Sequence, residues 1–141
     1  MSMVENKNVI SRFMEDVLNQ GRLERADDLV LEDFVELDPL PGQSQGREGL
    51  KQVIRELRTS FPDMHWIAEE MIAEGEKVST RFTWTGTQHG PFLGIPATGR
   101  HIAVKGVVID RLVGGKMADS RILMDTLGMM QQLGAIPTPP G

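Results

Sequence analysis

Phe61-Pro62-Asp63, followed by Met64-His65-Trp66-Ile67-Ala68-Glu69-Glu70-Met71-Ile72-Ala73-Glu74-Gly75-Glu76-Lys77-Val78-Ser79-Thr80-Arg81-Phe82-Thr83-Trp84-Thr85, is where the chain changes its hydrophobic period. Before it, Leu50, Val53, Ile54, Leu57 and Phe61 recur three and four apart. That is one stripe of an amphipathic helix, with Arg55, Glu56 and Arg58 outside it. After it the pattern alternates: Met64 to Ala73 predicts a strand, Glu74-Gly75-Glu76-Lys77 a hairpin turn, and Val78 to Thr87 the returning strand.

Upstream of this switch the chain reads as helix. Val9, Ile10, Phe13, Met14, Val17 and Leu18 predict a helix over 4–19 that stops at Asn19-Gln20-Gly21; residues 22–31 predict a shorter one, and Phe34 to Leu37 a brief extended piece. Downstream, residues 88–99 are dense in glycine and proline and predict a long loop. A strand over 101–112, a Gly114-Gly115 turn, a strand over 116–125 and a terminal helix over 126–133 follow. Helices first and antiparallel strands afterwards is the α+β order, with helices on one face of a sheet. Residues 1–136 make one domain and 137–141 a Pro-rich tail.

The chain has 141 residues, 40% hydrophobic and 25% charged, with a net charge of -5. These are the proportions of a soluble globular protein, and the sign of the charge disfavours nucleic acid and anionic membrane as partners. There is no cysteine, so thiolate metal sites and Cys nucleophiles are excluded, and the three histidines lack metal-motif spacing. No apolar run approaches a membrane span and the N-terminus lacks signal-peptide features, which predicts a cytoplasmic protein. The chain also has no tyrosine, which removes the phenol donor from any mechanism.

Lys116-Met117-Ala118-Asp119-Ser120-Arg121-Ile122-Leu123-Met124-Asp125 reads as a strand carrying charge at 119, 121 and 125, all on one face by parity. That face either meets water or lines a cavity. Asp125 stands before Thr126-Leu127 and fits a helix N-cap; in an apolar pocket it also fits a general base. Asp119 and Arg121 make a close pair, either buried, solvent-facing or at a subunit interface. On the strand over 78–87 the aromatic face, Phe82 and Trp84, is the expected pocket lining rather than Arg81. His89, at the start of the long loop, is either a surface residue or a donor to a substrate oxygen.

Arg81-Phe82-Thr83-Trp84-Thr85-Gly86-Thr87-Gln88-His89-Gly90, Phe92-Leu93-Gly94-Ile95-Pro96-Ala97-Thr98-Gly99-Arg100 and Met124-Asp125-Thr126-Leu127-Gly128-Met129-Met130-Gln131-Gln132-Leu133-Gly134 together resemble the SnoaL-like polyketide cyclases, or ester cyclases, of the NTF2-like superfamily. The resemblance implies an α+β cone: helices packed on a strongly curved antiparallel sheet, enclosing an apolar pocket for a small molecule. It implies an intramolecular aldol condensation, or related acid/base chemistry on an apolar carbonyl compound, without cofactor or metal. Asp125 matches the family's acid/base aspartate, with His89, Asp119, Arg121, Trp84 and Phe82 around the substrate. Similar members carry Glu-His-Trp or Glu-Ser-Trp where this chain has Asp119-Ser120-Arg121. A homodimer through the outer sheet face is also implied. Two alternatives stay open: a non-catalytic small-molecule binder of the same fold, and an epoxide hydrolase or isomerase, to which an Asp-Arg-Asp set is suited and the missing tyrosine is not.

Overall fold

A computed structural model describes residues 2–139; Met1 and the last two residues of the expected tail, Pro140 and Gly141, lie outside the described residues. Helix α1 (Met3–Arg12) is capped by the Ser2 hydroxyl, which accepts the Glu5 amide at 3.0 Å, and runs directly into a π-helical segment, Phe13–Asn19. The wider π turn presents Phe13, Met14 and Val17 to the interior. Its end is held from two sides. The Asn19 side chain accepts from the Trp66 amide at 2.6 Å and donates to the Trp66 carbonyl at 3.0 Å, while Arg58 donates to the carbonyls of Leu18 and Asn19.

A 3-10 turn (Leu23–Arg25) and the short α2 (Ala26–Leu29) follow. The helix expected over 22–31 is cut short because β1 (Val30–Glu36) takes its β-branched end. Helix α3 (Gly46–Ser60) then crosses the sheet, and β2 (His65–Glu74), β3 (Lys77–Thr87), β4 (His101–Val113) and β5 (Lys116–Met124) form an antiparallel meander closed by α4 (Thr126–Gln132). The sheet order is β1-β5-β4-β3-β2. β1 lies parallel to β5, so the sheet is mixed where the sequence predicted antiparallel strands throughout. No hairpin can join strands separated by α3 and three other strands, and parallel pairing is open to them.

Along β3 and β4 the inward residues are even-numbered: Val78, Thr80, Phe82 and Trp84 on one, Ile102, Val104, Asp110 and Leu112 on the other, all buried. Gly106 belongs to this row because a Cβ there would come within 2.5 Å of the Phe82 ring and of the Leu123 carbonyl. In β5 the parity changes. Leu112 pairs with Met117 and Arg111 with Asp119, so Ala118 is an extra residue, a β-bulge. Beyond it Ser120, Ile122 and Met124 face the helices, and Asp119, Arg121 and Leu123 face away. Among the described residues no helix is long and apolar enough to cross a membrane.

Candidate active site

Between the helices and the concave sheet face lies an inner chamber of about 310 Å³. Its helical wall is apolar: Phe13, Met14 and Leu18 from the π-helical segment, Leu50, Val53 and Ile54 from α3. Trp66 and Phe82 form one side, their rings 4.9 Å apart. The chamber adjoins a wider outer one of about 1090 Å³, which shares Leu40, Gln43, Val53, Leu57, Met124 and Thr126 with it and is bordered by Phe92, Leu93 and Gly94 of the long loop.

Across the floor runs a row of three polar residues on adjacent strands. Glu36 of β1 stands opposite Ser120 of β5, and Ser120 opposite Asp110 of β4. All three line the inner chamber. Neighbouring strands set side chains of one row within reach of each other, so Ser120 is flanked by a carboxyl on each side. Asp110 is 3% exposed and Ser120 4%. Burial pushes the Asp110 carboxyl up to about 7, against a partly opposing hydrogen bond from Ser120; the charge of Asp119 adds to the rise. Glu36 is also raised to about 7, first by burial and then by the charges of Asp110 and Asp38, against the Asp38 amide that it accepts at 3.2 Å. Asp38, at the rim, accepts the Ile122 amide at 3.1 Å.

The residues singled out in the sequence are distributed differently from the expectation. Phe82 lines the inner chamber. Trp84 is fully buried one layer behind, stacked on Trp66 with centroids 5.3 Å apart and edge-on to Phe61, and Trp66 takes the lining position. The bulge at Ala118 turns Asp119 and Arg121 to the convex face. There Asp119 accepts from Arg111 at 2.7 Å, and Arg121 reaches Asp38 at 3.8 Å. His89 is exposed on the long loop, its amide bonded to the Ser60 carbonyl. Asp125 is the N-cap of α4: its carboxylate accepts the Gly128 amide at 2.9 Å, it is exposed, and it lies outside both chamber linings. The close approach needs glycine at 128, where a Cβ would sit 2.2 Å from an Asp125 oxygen.

Glu36, Ser120 and Asp110 escaped the sequence reading, although one signal was present. Asp110 keeps the parity of Ile102, Val104, Val108 and Leu112 in an otherwise apolar alternation, and Glu36 that of Phe34. A carboxylate on the core side of a strand is costly unless it is used or neutralised.

Comparison with known proteins agrees with this architecture. The sequence pattern of the SnoaL-like polyketide cyclases matches residues 8–133. The chain belongs to that family. Aklanonic acid methyl ester cyclase DnrD of Streptomyces peucetius is 31% identical over 139 residues, 92% of this chain and 92% of its own. Nogalonic acid methyl ester cyclase of Streptomyces nogalater is 28% identical over 123 residues, 86% of this chain and 92% of its own. Among solved structures, TsrD from Streptomyces laurentii superposes with a TM-score of 0.89 at 29% identity, covering 96% of this chain and 99% of TsrD. Family membership thus accounts for the cone of helices over a curved sheet.

Proposed function

We propose that the protein catalyses a cyclase-type intramolecular aldol condensation of a small apolar carbonyl compound in the inner chamber, with Asp110 and Glu36 as its proton-handling groups. The observation that carries this reading is the Glu36–Ser120–Asp110 row, two carboxyls raised to about 7 in an apolar enclosure. Groups poised near the working pH serve equally as acid and as base. At neutral pH the pair holds about one proton between its two carboxyls. The ionised carboxylate takes a proton from carbon next to a carbonyl, the enolate carbon bonds to a second carbonyl, and the protonated carboxyl delivers its proton to the resulting alkoxide. Nothing is gained or lost in the sum, so no co-reactant is needed. Ser120, between the two acids, bonds the Asp110 carboxyl and steadies it in the row.

In this reading Asp125 holds α4 in place, and its expected role as base is put to the same test. Aklanonic and nogalonic acid methyl esters, the compounds named for the relatives, are incubated with the parent chain and with Asp110→Asn and Asp125→Asn, and ring closure is followed by chromatography. Asp110→Asn is expected to lower turnover by roughly 10²–10⁴-fold, the usual range for removing a general acid or base, and Asp125→Asn by no more than a few-fold. The opposite order returns the role to Asp125. Ligand binding without turnover of any ester would instead favour a binding protein. We also propose that the chain works as a homodimer, through the convex sheet face.

A further inference from the structure

The inner chamber carries charge of one sign only. Glu36, Asp38 and Asp110 reach its lining, and the other polar groups there, Gln43, Ser120 and Thr126, are neutral; among the described residues no lysine, arginine or histidine lines it. The charges acting on these acids are negative too: Asp110 and Asp38 on Glu36, Asp119 on Asp110. Arg111 is engaged on the convex face by Asp119 at 2.7 Å, and Arg121, its side chain 62% exposed, comes no nearer to Asp38 than 3.8 Å. From the layer above, α1, the π-helical segment and α3 contribute only apolar side chains. Nor do the three carboxyls converge as a cation site, since among the described residues no three His, Asp or Glu side chains gather in a metal-holding group. The outer chamber is lined by one cation, Arg55, and one anion, Glu56, again among the described residues.

We propose that the inner chamber is a charge filter: it admits a carbonyl compound whose acid group is masked as an ester or amide, tolerates a basic amine, and refuses a free carboxylate, with Glu36 and Asp38 as the specificity-determining residues. This rests on the inner chamber being the substrate site. A carboxylate entering it loses its hydration and, once Glu36 and Asp110 are ionised, meets like charge. A neutral ester pays neither cost, and an ammonium group recovers part of its desolvation from the acids. An acidic end of a longer ligand stays in the outer chamber, where Arg55 is available. Because Glu36 and Asp110 titrate near 7, the filter tightens as pH rises through neutrality.

Calorimetry of the full chain with three probes built on one naphthalene frame tests this: methyl 2-naphthoate, 2-naphthoate and 2-naphthylmethylamine. At pH 8 the ester and the amine bind, and the acid binds at least roughly 100-fold more weakly than the ester, given the cost of burying an unpaired charge. At pH 6 the acid probe is still ionised while Glu36 and Asp110 take up protons, and the gap narrows. Glu36→Gln with Asp38→Asn narrows it by roughly tenfold at pH 8 with the ester still bound, and Asp38→Asn alone, which keeps the acceptor for the Ile122 amide, does so in part. The filter is overturned if acid and ester bind within a few-fold at pH 8, if the double variant leaves the gap unchanged, or if the amine is refused as strongly as the acid, which would make desolvation alone the cause. Binding of none of the three probes would remove the inner chamber as the ligand site, and the proposed function with it.

Discussion

At the scale of single residues the contrast between Asp110 and Asp125 decides where chemistry can occur. Asp110 lies near the end of β4 and Asp125 directly after β5, yet one is sealed beneath apolar side chains and the other bonds the first turn of a helix in contact with solvent. The difference has a thermodynamic signature. In the folded chain Asp110 sits at about 7 instead of 3.8, so between these values the folded state keeps a proton that the unfolded chain has released. Stability contributed through this group therefore falls as pH rises from about 4 to about 7, the reverse of a salt-bridged aspartate. Asp110→Asn removes the term. Urea unfolding is expected to show the variant equal to the parent near pH 4 and more stable at pH 8, by an amount on the order of a few kcal/mol at most. A variant less stable than the parent at both pH values would mean that the carboxylate is satisfied as an ion in the fold.

At the scale of elements, the switch of period at Phe61-Pro62-Asp63 located α3, the β2–β3 hairpin and the order of helices before strands, because burial of one face imposes its period directly on the residues. The partner of β1 was not legible. Val30 to Glu36 carries a strand composition, but parallel pairing with β5 is settled by contacts between residues more than eighty positions apart. The bulge was equally hidden. A single unpaired Ala118 reverses which residues of β5 face the helices, and a parity argument carried through it assigns Asp119 and Arg121 to the same face as Met117. Phe82 was readable as lining because its strand has no irregularity against β4, whereas Trp84 lies on that same inward row and is covered by Trp66 from β2.

At the scale of the whole molecule, the convex face exposes apolar side chains interspersed with the charged pairs Arg81–Glu70 and Arg111–Asp119. Ile67 and Ile72 on β2, Val107 and Ile109 on β4 and Leu123 on β5 are each at least 41% exposed, Leu123 as much as 76%. Apolar side chains left exposed on an uncovered sheet face are where a second chain could pack, and a stable pair needs roughly 800 Å² from each partner. Light scattering is expected to give the mass of two 15.7 kDa chains, and Leu123→Lys to shift it toward one. A parent chain that scatters as a monomer at working concentration rules the homodimer out.

Proton transfer in the inner chamber requires that the fold hold the Asp110 carboxyl near neutrality beside Ser120 and Glu36. Side-chain carboxyl ¹³C NMR across a pH titration, with the Asp110 resonance assigned by its loss in Asp110→Asn, measures this without a substrate. The expected midpoint is about 7, with a linked step from Glu36 in the same range. A midpoint close to the ordinary aspartate value of 3.8 would contradict it, since the carboxyl would then be ionised throughout the working range and could supply no proton.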